Sequence, residues 1–165
     1  MKPATPPGWE TRIGAVWAAA GSLADDELLA RIDELVAELP AGDPRGLYEK
    51  ASAFDSAGIE DRAVPLYRAA LTGGLDEPIR RQAVIQLAST LRNVGKADEA
   101  VRLLSAEATD AGDGFDTAVR AFLALALVSA GHDREAVGVA LTALATHVPR
   151  YRRSLTAYAT ELTSS

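Results

Sequence analysis

One short pattern, G-x-x-x-x-A-V, occurs three times in this chain, as GIEDRAV at 58–64, GKADEAV at 95–101 and GHDREAV at 131–137. The glycines lie 37 and then 36 residues apart. Each copy follows one Ala-rich apolar stretch of helical period and precedes another. A fixed period of this length, with two helices per unit, specifies stacked helical hairpins in which each unit buries its apolar face against the next. The implied fold is an all-α, right-handed superhelix of about nine helices. Glycine at the end of each first helix admits the left-handed backbone that turns the chain. Ala63, Ala100 and Ala136 are small enough for the second helix to approach the first closely. A bulkier side chain there should cost about 1–3 kcal/mol by overpacking.

The small residues around these glycines resemble the tetratricopeptide repeat, a 34-residue helix-turn-helix unit. In the first clear unit Leu47, Ala51, Phe54, Gly58, Ala63, Tyr67 and Ala70 fall at its positions. In the second Val84, Leu87, Ala88, Leu91, Gly95, Ala100 and Leu104 do so. In the third it is Leu123, Ala124, Leu127, Gly131, Ala136 and Ala143, with Ala140 in the aromatic slot. With LYRAAL, AVIQLASTLRN and PRYRRSL added, the chain is similar to small actinobacterial proteins of the group 5 tetratricopeptide-repeat type. That resemblance implies a protein-interaction module and brings no catalytic residues.

The units are expected at 44–77, 78–112 and 113–147, within a single domain over 8–165, after a flexible lead at 1–7. Residues 8–39 read as a degenerate first unit. Trp9, Ile13, Val16, Trp17 and Ala20 form one stripe, and Leu28, Ile32, Leu35, Val36 and Leu39 another. Gly21 stands in register with the repeat glycines, and Ser22 or Asp25 is the expected cap of the helix after it. Pro65 should either delay its helix to about Arg62 or kink it. Asp113 is the expected cap for the third unit.

If the geometry of the family holds, the first helix of each unit lines a concave surface. Arg45, Glu49, Ser52 and Ser56 share one helical face, and Gln82, Gln86, Ser89 and Asn93 repeat that spacing one unit later. Tyr48, Asp55 and Arg92 flank the two stripes. Aligned amides and hydroxyls suit hydrogen bonding to a peptide backbone; the alternative is a hydrated polar face. The peptide-carboxylate clamp of some relatives needs several Lys, Arg and Asn residues, and only Arg45, Arg92 and Asn93 answer to it, so a less cationic groove and another partner are implied. In the third unit the face is Ala118, Phe122, Leu125 and Ser129. Such a helix must be covered. A closing helix at 149–163, with Tyr151, Leu155, Tyr158 and Leu162 on one face, is the expected cover, ahead of a second subunit or a partner helix.

Other chemistry finds little support. A net charge of −6 argues against general binding of nucleic acid or anionic membranes. Arg150, Arg152 and Arg153, like Arg80 and Arg81, read as solvated. Without cysteine there is no disulfide or thiolate chemistry. His132 and His147 have no metal-ligand neighbour at helical spacing, and Asp25-Asp26-Glu27 suits a first helical turn. No phosphate loop, nucleophile elbow or zinc-protease motif is present. The opening MKPATPPGWE lacks the apolar core of a signal peptide, and no stretch reaches membrane-spanning length without charge. The expectation is therefore a cytoplasmic, non-enzymatic scaffold, monomer or homodimer, without cofactor or metal. It would bind a protein or peptide partner in its groove, the alternative being a small-molecule or signal-sensing regulatory module.

Overall fold

A computed structural model describes residues 5–164. Among them are nine α-helices and no strand: α1 Trp9–Ala19, α2 Asp25–Val36, α3 Pro44–Ser56, α4 Glu60–Thr72, α5 Ile79–Asn93, α6 Ala97–Glu107, α7 Asp116–Ser129, α8 Asp133–Ala145 and α9 Arg152–Thr163. The fold is all-α, built of consecutive helical hairpins. The chain forms two compact units, one ending at Ala83 and the other beginning at Val84. Of the lead at 1–7, residues 1–4 lie outside the described residues, and the carbonyl of Pro6 accepts a hydrogen bond from the Trp9 amide at 3.0 Å.

The repeated glycines make one turn three times over. Gly58, Gly95 and Gly131 have φ of 68°, 77° and 83°. The amide after each donates to a carbonyl five residues back: Ile59 to Phe54, Lys96 to Leu91 and His132 to Leu127, at 2.8, 2.8 and 2.9 Å. The glycine amides themselves donate three residues back, to Asp55, Arg92 and Val128. This pair of bonds satisfies carbonyls that the helix end would otherwise strand. Ile59, Lys96 and His132 then start the second helix, their carbonyls accepting from the amides of Ala63, Ala100 and Ala136. Those three alanines are fully buried, as close helix crossing requires.

In the first unit α1 packs on α2, α2 on α3 and α3 on α4. Trp9, Ile13, Leu28, Ile32, Leu35 and Leu39 form a continuous core there, and the Trp9 indole donates to the Leu35 carbonyl at 2.8 Å. Asp43 caps α3 by accepting from the amides of Arg45 and Gly46, with Pro44 in the first helical position. At Gly46 a Cβ would stand 2.9 Å from Val36, so α3 needs glycine to lie this close to α2.

Local details differ from the sequence reading in three places, and Pro65 decides between two alternatives. Gly21 lacks the left-handed conformation of the repeat glycines; it sits in a 3₁₀ turn, Ala20–Ser22. Neither Ser22 nor Asp25 caps α2, because the Ser22 hydroxyl donates backwards to the Ala19 carbonyl and Asp25 is already helical. Of the two alternatives for Pro65 a delayed start does not hold: the helix runs Glu60–Thr72 with the proline inside it, on its exposed side. Asp113 accepts from the Phe115 amide within the loop, while the Asp116 carboxylate holds the amides of Ala111 and Gly112.

In the second unit α6 packs on α7, α7 on α8 and α8 on α9. The closing helix does not cover the apolar face of α7 in the expected way. Its contact with α8 is made through buried Ala159 against Gly138, while Tyr151 and Tyr158 face solvent. Arg152 ties the start of α9 to the end of α8, donating to the carbonyls of Ala145 and Thr146. α9 packs on the face of α8 that carries Gly138, and Val137 and Ala140 stay exposed. Leu125 and Val128 of α7 stay half exposed.

Candidate functional site

The polar stripe of α3 does not lie uniformly open. Glu49 is only 2% exposed. Its carboxylate accepts from the Trp17 indole of α1 and pairs with Arg45 one turn earlier. Arg45 also reaches Glu10 of α1, at 3.1 Å, and its guanidinium lies 5.4 Å from the ring centroids of both Trp9 and Tyr48. Arg45 and Glu49 thus form a charged pair between α1 and α3, walled by aromatic rings. In such surroundings a charge is tolerable only when paired and hydrogen-bonded.

Ser52 is buried as well, one turn further along. The Tyr67 hydroxyl of α4 donates towards Ser52, at 3.4 Å, and Asp55, at 3.3 Å. Burial pushes the Tyr67 phenol well above its ordinary range, reinforced by the nearby charge of Asp55. The ring of Tyr48 lies 6.3 Å from that of Tyr67, and its hydroxyl donates to Gln82 at 3.2 Å. Of the α3 residues, Tyr48, Glu49 and Ser52 are therefore interior. Arg45 and Asp55 are partly covered, and Ser56 is exposed.

On α5 the second stripe keeps its face. Gln82, Gln86 and Ser89 are partly exposed and Asn93 fully so, whereas Ala83, Val84, Leu87, Ala88 and Leu91 are buried. Arg92 flanks the stripe and donates to Asn93 at 3.2 Å. This is the amphipathic division that the spacing predicts.

The sequence model of the family described as Tetratrico peptide repeat matches residues 44–162. The chain belongs to the tetratricopeptide repeat family. No curated protein and no solved structure matches it. Tetratricopeptide repeats generally mediate protein–protein interaction and are generally non-catalytic scaffolds.

The repeat pattern names the turn and crossing residues, and it is silent on the degenerate first unit, where Glu10 and Trp17 supply the partners that bury Arg45 and Glu49. Two indoles within nine residues of an otherwise aromatic-poor chain were the available signal, since a buried indole N–H needs an acceptor. Among the described residues no group of acidic, histidine or cysteine side chains is arranged to hold a metal, and no helix is long and apolar enough to cross a membrane. His132 and His147 are exposed, the latter 3.4 Å from the Thr117 hydroxyl.

Proposed function

We propose that this tetratricopeptide repeat protein is a scaffold that holds a peptide or helix of a partner protein against the polar stripe of α5. Gln86, Ser89, Arg92 and Asn93 on α5 are the contacting residues. Arg45, Tyr48, Glu49, Ser52 and Gln82 are engaged in the hydrogen bonds above and serve the packing of α3 rather than the partner. The observation that carries this reading is the α5 face, on which amide and hydroxyl groups stay accessible while the residues between them are buried. Uncharged donors and acceptors of this kind match the backbone of an extended or helical segment, and they suit a partner not selected by a terminal carboxylate.

Affinity capture from the native lysate tests it. Wild-type protein and a Glu161→Arg control should retain the same partner. A Ser89→Arg/Asn93→Arg variant should lose it with an unchanged melting temperature. Retention of that partner by the stripe variant would refute the placement.

A further inference from the structure

In the second unit α7, α8 and α9 all contribute to an open cavity of about 370 Å³, which shares no residue with the α5 stripe. Its wall carries two arginines, Arg120 of α7 and Arg152 at the start of α9, with Thr142, Thr146 and Thr156 beside them. The Arg120 side chain is only 14% exposed and donates to the carboxylate of Asp110 at 2.5 Å. Asp110 comes from the loop before α7, and its own side chain is 91% exposed. A mostly buried guanidinium is thus held ready at the mouth of a cavity, with an acid from the solvent side already on it. We propose that the cavity receives an acidic side chain, aspartate or glutamate, from a segment of a partner protein, and that Asp110 stands in its place when the partner is absent.

Charge selects an acid. Arg152 donates to the carbonyls of Ala145 and Thr146, at 3.4 and 3.1 Å, and among the described residues no carboxylate pairs with it. Those carbonyls aim the guanidinium, and the helix end they belong to offsets only about half of its charge. Two guanidinium groups against one carboxylate leave the cavity positive, in a chain whose net charge is −6. Arg120 spends one terminal nitrogen on Asp110, although its planar fork can hold a carboxylate by two. Asp110 also yields easily, because an ion pair whose acid lies in water contributes little.

The threonines decide which acid fits. The hydroxyls of Thr142 and Thr146 give their protons to the carbonyls of Gly138 and Ala143, at 3.0 and 2.8 Å, so their oxygens keep only lone pairs for a ligand. A phosphoryl dianion has no donor to offer them and would set oxygen against oxygen. An acidic residue within a peptide carries both kinds of group. Its carboxylate meets the guanidinium groups, and the backbone N–H groups beside it meet the threonine oxygens. A neutral amide side chain would make similar hydrogen bonds and forfeit the charge. Recognition of this kind reads a side chain inside a segment and needs no chain terminus.

The test is a titration of the isotope-labelled full chain, followed by amide NMR shifts, with a C-terminally amidated peptide of alternating glutamate and glycine. The amides of Thr142, Thr146 and Arg152 should shift together and saturate, and the same peptide with glutamine should leave them in place. Asp110→Asn should tighten the glutamate peptide about threefold by removing the competing acid. Arg152→Gln should weaken it about tenfold, the loss of a charge-assisted hydrogen bond. Should Arg152→Gln disturb the end of α8, the exposed Asp110 still gives a variant that keeps its fold. No saturable shift with the glutamate peptide, equal shifts with the glutamine peptide, or an Asp110→Asn protein that binds no tighter overturns the proposal. Inorganic phosphate that moves the same amides at lower concentration overturns it in favour of a phosphoryl ligand.

Discussion

Gly138 allows a substitution whose sign, not only its size, depends on how α8 and α9 pack. It is the sixth residue of α8, an interior helical position where alanine is better than glycine by about 1 kcal/mol. Taken alone, that gain predicts a stabilised Gly138→Ala protein. The structure predicts the reverse. A Cβ at 138 would lie 2.6 Å from the Thr163 methyl, 2.9 Å from the Ala159 carbonyl oxygen and 3.2 Å from Leu162. The methyl cannot simply rotate aside, because the Thr163 hydroxyl is held by the carbonyls of Ala159 and Thr160, each at 3.2 Å. The Ala159 oxygen is backbone, so relief requires the whole of α9 to move. Overpacking of this kind costs about 1–3 kcal/mol, which at least cancels the propensity gain. The net loss of up to about 2 kcal/mol lowers the melting temperature by up to about 8 °C for a chain of this size. Gly14 is the internal control: it lies within α1 with nothing within 4 Å of its added Cβ, so Gly14→Ala should gain up to about 1 kcal/mol. Thermal unfolding by circular dichroism gives both signs. Hydrogen exchange should show faster opening over 152–163 in the Gly138 variant alone. If Gly138→Ala is as stabilising as Gly14→Ala, α9 does not rest on α8 as described.

Two further perturbations probe the first unit. Glu49→Ala removes the carboxylate that neutralises Arg45 and accepts from Trp17, and should cost about 3–5 kcal/mol in urea unfolding. Arg45→Met/Glu49→Leu, which leaves only the exposed Glu10 carboxylate without its partner, should cost less than half as much; an equal loss would mean that shape rather than charge governs the site. Tyr67 keeps its proton in the folded protein well above the unfolded value of 10.0, so the stability it supports is complete below pH 10 and falls as pH rises further. Tyr67→Phe should cost about 1 kcal/mol near neutrality and flatten that alkaline decline in pH-dependent urea titrations. An unchanged slope would show that Tyr67 does not cause it.

The limits of what the residues reveal follow from which contacts are periodic. Gly58, Gly95 and Gly131 were legible because a left-handed turn has one favoured residue, and the crossing alanines because close approach excludes everything larger. Both demands recur with the unit, so sequence shows them three times. The pair Arg45–Glu49 has no such echo. A polar residue every third or fourth position looks the same whether it faces water or a buried partner. What decides is a neighbour 32 residues away, Trp17, in a unit that has drifted from the pattern. On α5 the same spacing stays at the surface, and there polarity and accessibility agree. The covering of α7 failed to follow from sequence for a related reason. Both α8 and α9 carry apolar residues on more than one side, and the choice between faces rests on a single missing side chain. Gly138 opens one face of α8 to close contact with α9, and Val137, one residue earlier and about 100° around the helix, is thereby left on the uncovered side. The half-exposed side chains of Leu125, Val128 and Val137 are thus left on the face that α9 does not reach.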